Sequence, residues 1–294
     1  PKRLIDVGLP EQPFIQLVQT DGRPLDYVAL SYCWGENQTG RITTRETVSE
    51  MMQGVSLTLL SQTILDAVTV VRRLRLRYLW VDALCIIQGQ DNTGDWADEL
   101  QKMGQIYNNA YLTIAATSAS AASEGFLNHR NRGGIPIDFR ARKSDRCEGI
   151  IFFRESITVD HSFTEDVHGS PLLKRAWVKQ ERVLSRRTID FSSNQIFWTC
   201  RLTRYSEDGQ QHSDDGIEAW SDLVQEYSTL QLKYESDRLP ALAGIADIAS
   251  RIISDQYLSG IWKANLSSGL LWNPTKYPVK LSGMAGVPSW SWAS

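Results

Sequence analysis

The sequence predicts an α/β fold: a parallel sheet core flanked by helices, extended by a mostly helical second half that carries one β-hairpin. Three observations predict it. Apolar strand-like runs alternate with amphipathic helical runs over residues 27–116, and strand, helix, strand, helix, strand at those lengths calls for right-handed crossovers and a parallel sheet. Beyond residue 150 the alternation is lost and helical runs dominate. Between those helical runs, residues 187–200 hold two β-rich runs around Ser192-Ser193-Asn194, the pattern of a hairpin.

Each element has its own signal. Residues 27–32 are read as the first strand, an apolar run leading into Ser31-Tyr32-Cys33-Trp34-Gly35. Residues 36–57 are polar and irregular and read as a long loop. Ser61 then stands where a helix cap would, before Ile64, Ala67, Val68, Val71 and Leu74 at helical spacing. Tyr78 to Val81 is short and apolar, suited to a strand buried on both faces. Asp95 is placed to cap a second helix running to about Asn108, and residues 110–116 form a third strand. Residues 117–150 are small, polar and basic and read as a loop or linker. In the second half, residues 175–184, 216–232, 237–253 and 257–272 read as helices.

Composition excludes several classes. Of 294 residues, 42% are hydrophobic and 22% charged, enough apolar material for a sizeable core. A net charge of −3 argues against a nucleic-acid or membrane surface as the main partner. Cys33, Cys85, Cys147 and Cys200 are far apart, which suits a reduced, cytoplasmic protein. The glycosylation patterns at Asn37 and Asn265 have no signal peptide to give them meaning. No apolar stretch is long enough to span a bilayer. The start at Pro1 without Met reads as a piece of a longer protein.

No phosphate loop, dinucleotide fingerprint, nucleophile elbow or zinc-protease motif occurs. His161 and His168 share a segment with Asp160, Glu165 and Asp166, but the spacing fits no common metal site; a solvated acidic loop is the plainer reading, and no metal is expected. Arg72, Arg73, Arg75 and Arg77 fall at a helix C-terminus, where they complement the dipole or contact an anion or partner.

In a parallel α/β sheet, ligands bind at the carboxyl ends of the strands. The first strand delivers Ser31, Tyr32, Cys33, Trp34 and Gly35 to that edge, and the second delivers Asp82 and then Cys85. The next helix begins there, with Asp95, Trp96, Asp98 and Glu99. At about 100° per residue, Glu99 falls inside the apolar arc of Trp96, Leu100, Met103, Ile106 and Tyr107, and Asp98 points the other way. A carboxylate in an apolar setting is either paired or functional. Glu99 is therefore a candidate catalytic group, or a structural one that bonds a backbone group or pairs with an arginine. Trp34 and Trp96 are ligand walls or core residues, and Asp82 a ligand contact or an anchor for the next loop. A second candidate group is Trp177 with Gln180 and Glu181, whose plain reading is a helix that docks the second half onto the sheet.

"YVALSYCWG", "TILDAV", "RYLWVDALCIIQ", "DWADELQKMGQIYNNAYLTIAAT", "RAWVKQERVLSRRTIDF", "DRLPALAGIA" and "PSWSWAS" occur in that order. Together they resemble the heterokaryon-incompatibility (HET) domain of filamentous fungi, from about residue 27 to the end. Lys179 stands where the family pattern usually has Leu, and Ser61 where a Pro often stands. The resemblance implies nonself recognition and programmed cell death, with receptor or NTPase domains elsewhere in the full-length protein. It divides the chain into a TIR-like (flavodoxin-like) core over 1–150 and a helical and hairpin part of the same domain over 151–294. The distant TIR likeness implies a strand ending in a Ser-Tyr-like pair, as at Ser31-Tyr32, and a helix with a Trp followed by a catalytic Glu, as at Trp96 and Glu99. Those two are three residues apart, against four usually. TIR enzymes cleave NAD, so the resemblance implies an NAD glycohydrolase with NAD as substrate, no cofactor, and self-association. Ser31, Tyr32, Trp34, Gly35, Asp82 and Trp96 would line the substrate, with Cys85, Trp177, Gln180 and Glu181 as secondary candidates. The rival expectation is a non-catalytic module that kills by homotypic assembly and recruitment of partners.

Overall fold

The computed structural model describes residues 1–36, 40–89, 94–128, 130, 135–140, 148–153, 163–213, 220–272 and 287–294. Its strands are β1 (Arg3–Asp6), β2 (Phe14–Gln19), β3 (Tyr27–Ser31), β4 (Val55–Ser56), β5 (Tyr78–Trp80), β6 (Leu112–Ala115), β7 (Ile135–Arg140), β8 (Glu148–Phe153), β9 (Arg187–Phe191), β10 (Ile196–Cys200), β11 (Thr203–Ser206), β12 (Gln211–Ser213), β13 (Tyr257–Leu258) and β14 (Ile261–Trp262). Its α-helices are α1 (Val48–Gln53), α2 (Gln62–Arg73), α3 (Asp82–Cys85), α4 (Asp95–Leu100), α5 (Met103–Asn109), α6 (Ala176–Leu184), α7 (Trp220–Tyr227), α8 (Pro240–Ile253) and α9 (Leu266–Gly269).

Ten strands form one sheet in the order β12-β11-β10-β9-β6-β3-β5-β1-β2-β4. Its centre, β5-β3-β6-β9, is parallel. Both flanks are antiparallel, through β1 on one side and β10 on the other. Each parallel step has helical crossovers: α2 between β3 and β5, α4 and α5 between β5 and β6, α6 between β6 and β9. All residues of β3 and β6 are buried, as strands covered on both faces should be.

Helices α5, α6 and α8 form a layer on one face. The Tyr107 hydroxyl donates to the Leu30 carbonyl at 3.1 Å, and its ring meets Trp80 edge-on. Helix α6 is tied to the sheet by the Arg182–Asp190 ion pair at 2.7 Å and by the Thr113 and Ser185 hydroxyls, 2.7 Å apart. Between α5 and α8 the backbones nearly touch: a Cβ on Gly104 would lie 2.8 Å from the Gly244 Cα. Only glycine permits that approach.

Five expectations are corrected. Residues 27–32 are not the first strand, because β1 and β2 precede them and close one flank of the sheet. The hairpin at 187–200 is present as β9 and β10, but it is no separate addition: β9 is the fourth parallel strand, so the sheet crosses the expected division at 150/151. Loop 117–150 contains β7 and the start of β8, and loop 36–57 contains α1 and β4. The helix expected over 257–272 is a two-residue ladder, β13 with β14, and the single turn α9. Ser259 and Gly260 sit at φ 42° and 107°, outside helical space, and break the run. The helix expected from Asp95 to Asn108 is two, because at Lys102 the ladder shortens to a bond from its N–H to the Glu99 carbonyl.

Candidate functional site

Taken in chain order, the four parallel strands lie 2-1-3-4 across the sheet. The chain steps from β3 to one side, then returns to its other side, so the order reverses at β3. The carboxyl ends around such a reversal are where open α/β sheets bind ligands. There β3 ends in Ser31 and leads to Tyr32, Cys33 and Trp34, β5 leads to Asp82, and β6 to Thr117. The segment from Leu172 to Val178 lies across this edge, with Leu172 and Val178 packed on Cys33 and Ala115.

A polar cluster is built into this edge. Asp82 accepts from the Trp34 indole at 2.9 Å and from the Ala83 N–H at 2.7 Å. Arg175, just before α6, donates to the Tyr32 carbonyl. Its charge acts on Glu181 and Asp82 alike. Glu181 is 6% exposed, with the Ser31 and Tyr107 hydroxyls beside it. The buried Ser31 Oγ makes no hydrogen bond of ordinary geometry, though it lies close enough to Glu181 to act on its charge. Trp34 and Asp82 are half-buried and form the outward side of the cluster.

The electrostatics follow from two carboxylates in the field of one guanidinium. Burial raises the Glu181 carboxyl above the usual range, and Arg175 pulls it back. Asp82 is also raised by burial and is opposed first by Arg175, then by the Ala83 N–H and the Trp34 indole. Burial holds Tyr32 well above an ordinary tyrosine, reinforced by Asp82. Burial also raises the Cys33 thiol and pushes Cys85 up to about 12. Neither thiol is a ready nucleophile.

Glu99 is elsewhere in its bonding. It is 0% exposed. One oxygen accepts from the Lys2 backbone N–H at 3.3 Å, and the other lies 3.5 Å from the Lys102 ammonium. Around it Asp95 binds the Ile87 N–H at 3.0 Å, Lys2 and Arg3, and the exposed Asp98 binds Lys2 at 2.9 Å. Asp95 is therefore no helix cap; Gly94 holds that position. Its contacts are thus one backbone N–H and the Lys102 ammonium, with no arginine, and its Oε1 makes no hydrogen bond of ordinary geometry. Trp96 is half-buried against the main core.

Residues 27–181, more than half of the chain, match the family model described as heterokaryon incompatibility protein (HET). The chain belongs to the HET family. The match begins at the first residue of β3 and ends at Glu181, so the family unit spans the cluster just described. Membership gives this HET domain a role in heterokaryon incompatibility and cell death. No curated protein and no solved structure matches the chain.

The edge of this HET domain thus gathers Ser31, Tyr32, Trp34 and Asp82 with Glu181. Gly35 follows at φ +83°, where a Cβ would lie 2.7 Å from the Ala121 Cβ. Trp177 and Gln180 serve docking: the Trp177 indole donates to Asp237 at 3.1 Å, and Gln180 accepts from the Gly244 N–H at 2.7 Å. Cys85 is buried, its carbonyl held by Arg3 at 2.8 Å. Sequence reasoning missed Arg175 and Tyr107. A signal for Arg175 existed: a cation at a helix N-terminus opposes the dipole and needs a carboxylate partner.

Other candidates are accounted for. Arg72 donates to the Val7, Pro10 and Phe14 carbonyls, and Arg77 pairs with Asp6 at 2.7 Å. These line a cleft of about 580 Å³ away from the cluster. His161 and Asp160 lie outside the described residues, as do His129, Cys147 and Asn37. His168 meets Phe163 edge-on, and burial and Arg182 lower its pKa. Among the described residues no His/Cys/Asp/Glu group is placed to hold a metal, and no helix is long and apolar enough to cross a membrane.

Proposed function

We propose that this HET domain is a cytoplasmic cell-death effector that hydrolyses NAD at the nicotinamide–ribose bond, with Glu181 rather than Glu99 as the catalytic carboxylate. The observation that carries the reading is the cluster of Glu181, Arg175 and Asp82 against Tyr32 and Trp34 at the strand-order reversal. The spacing adds support. The TIR resemblance implies a Trp and a Glu four residues apart, and Trp177–Glu181 has that spacing where Trp96–Glu99 does not. The 2-1-3-4 order of the parallel strands also supports a TIR-like, flavodoxin-like core.

The chemistry suits these groups. Cleavage passes through an oxocarbenium-like state, as in glycoside hydrolysis. Nicotinamide departs neutral because its ring nitrogen is cationic before the bond breaks. An ionised Glu181 near the ribose stabilises the positive charge that develops on the sugar and accepts from its hydroxyls. Trp34 offers an aromatic wall. Arg175 works against the burial that disfavours the charged form of this carboxylate.

A second reading is favoured by one observation. Glu181 is nearly closed off, with Leu172 to Val178 lying across the edge. A non-catalytic module that acts by self-assembly needs no opening there. The purified chain incubated with NAD, with free nicotinamide followed by chromatography over a dilution series, separates the two. Release that is lost in Glu181→Gln supports the enzyme, and release whose specific rate rises with protein concentration supports a site completed by self-association. No release at any concentration supports the assembly module.

A further inference from the structure

Helix α2 ends in a turn that favours glycine and holds an arginine. The Leu76 N–H bonds the Val71 carbonyl at 3.1 Å and the Arg75 N–H bonds the Arg72 carbonyl at 3.0 Å, the paired bonds of a Schellman cap. Arg75 sits at φ 57°, left-handed backbone that is costly for any residue with a Cβ. It is exposed, and among the described residues no carboxylate pairs with it. Strain kept for a side chain with no partner in the fold points to a use outside the fold. Arg75 lines the cleft of about 580 Å³ between the β1–β2 turn and the end of α2, together with Arg72 and Arg77. Arg72 gives its N–H groups to the Val7, Pro10 and Phe14 carbonyls, at 2.6 to 3.3 Å, which leaves its charge without a counterion. Arg77 already holds a carboxylate, one oxygen of Asp6, through two nitrogens at 3.0 and 2.7 Å. Asp6 is the one carboxylate among the lining residues, and Glu11 stands outside them, so two positive charges are in excess. The apolar part of the lining comes from Leu9, Pro10, Phe14 and Leu76; Leu9 and Phe14 are 67% and 42% exposed.

We propose that this cleft is a docking site for an acidic segment of a partner protein, one that carries an aliphatic side chain beside its carboxylates. A bare anion would meet the arginines and leave Leu9 and Phe14 in water. A purely apolar segment would cover those two and leave the guanidiniums unpaired. A segment with both kinds of group satisfies the whole lining, with Arg75 as the fork for its carboxylate and the charge of Arg72 beneath it. The site is built from α2 and the N-terminal strands, so it does not rest on the reading of Glu181 given above.

The test is fluorescence anisotropy of the full chain with a labelled peptide of alternating glutamate and leucine, and a control peptide of alternating glutamine and leucine. The acidic peptide should bind, more tightly than the control, and weaken as salt is raised. Arg75→Gly separates a docking residue from an idle surface arginine. It should raise the denaturant midpoint, because the left-handed turn then suits its residue, and weaken the acidic peptide by about fivefold, the upper range for one exposed ion pair. Arg75→Gln should weaken the peptide as much while keeping the strain, so its midpoint should stay near wild type. Leu9→Ser should weaken the peptide with no change in midpoint. No binding of the acidic peptide up to about 1 mM, equal binding of the two peptides, or unchanged affinity in both Arg75 variants overturns the proposal. Displacement of the labelled peptide by inorganic phosphate or ATP at lower concentration than by unlabelled peptide would give the cleft to a free anion and overturn it as well.

Discussion

Glu99 and Glu181 are both buried glutamates on helices that follow parallel strands, and the protein surrounds them in opposite ways. Glu99 sits in a lattice of alternating charge. Three carboxylates (Asp95, Asp98, Glu99) meet three cations (Lys2, Arg3, Lys102) and two backbone N–H groups. Glu181 lies with Asp82 in the field of a single guanidinium, that of Arg175, and otherwise faces hydroxyls. The first arrangement balances its charge and fastens the start of β1 to α4. The second sets two carboxylates whose ionisation burial opposes in the field of one guanidinium; each site also holds a buried oxygen without a hydrogen bond of ordinary geometry, Glu99 Oε1 in the first and Ser31 Oγ in the second. Burial of a carboxylate does not by itself mark function; under the proposed function, the balance of charge around it is what distinguishes the two.

The comparison can be broken most forcefully from the Glu99 side. Arg3 donates to the Cys85 carbonyl and pairs with Asp95 while only 8% exposed. Arg3→Met should cost about 2–3 kcal/mol of stability, read as a lower denaturant midpoint, with any nicotinamide release by the folded protein unchanged. Loss of release in folded protein would put this cluster in the site.

Glu99→Gln is the milder version. The Lys2 N–H keeps an acceptor and Lys102 loses its ion pair. About 1–2 kcal/mol should go, visible as an earlier melt.

The Glu181 side gives a pH signature. A carboxyl raised by burial binds its proton more tightly in the folded chain than in the unfolded one. Stability contributed this way is present at low pH and is lost as pH rises from the ordinary glutamate value, about 4.3, through the raised folded value. Glu181→Gln removes that loss. Its stability relative to wild type should therefore climb across that window and then level off. Denaturant midpoints of both proteins measured across the acid range check the sign; a gap that narrows as pH rises would contradict it. The smallest effect belongs to Asp98→Asn, whose exposed carboxylate pairs with the Lys2 ammonium at the surface. Neither melting nor release should change measurably.

Much of this was legible in the sequence. The parallel core followed from short apolar runs between helical repeats, and Ser31, Tyr32, Trp34 and Asp82 from their places at strand ends. Of the flanks only β10 was legible, as half of a hairpin; β1 has four residues and β12 three, too few for periodicity to speak. Placing β9 in the central sheet depends on a crossover partner far away in sequence. Helical phase put Glu99 on the apolar side of its helix, where it is indeed buried, but phase says nothing of the N-terminal strand that brings Lys2 and Arg3 to meet it. Placing Arg175 at the site required knowing that α6 lays its start across the end of β3.

The central claim is that Glu181, not Glu99, is the carboxylate that acts. The most direct measurement is the rate of nicotinamide release from NAD by wild type, Glu181→Gln and Glu99→Gln, each first shown to be folded. The account predicts a fall of about 10²–10³ for Glu181→Gln, the loss expected for one electrostatic stabiliser, and a rate near wild type for Glu99→Gln. The reverse pattern, Glu99→Gln inactive and Glu181→Gln active, would contradict it.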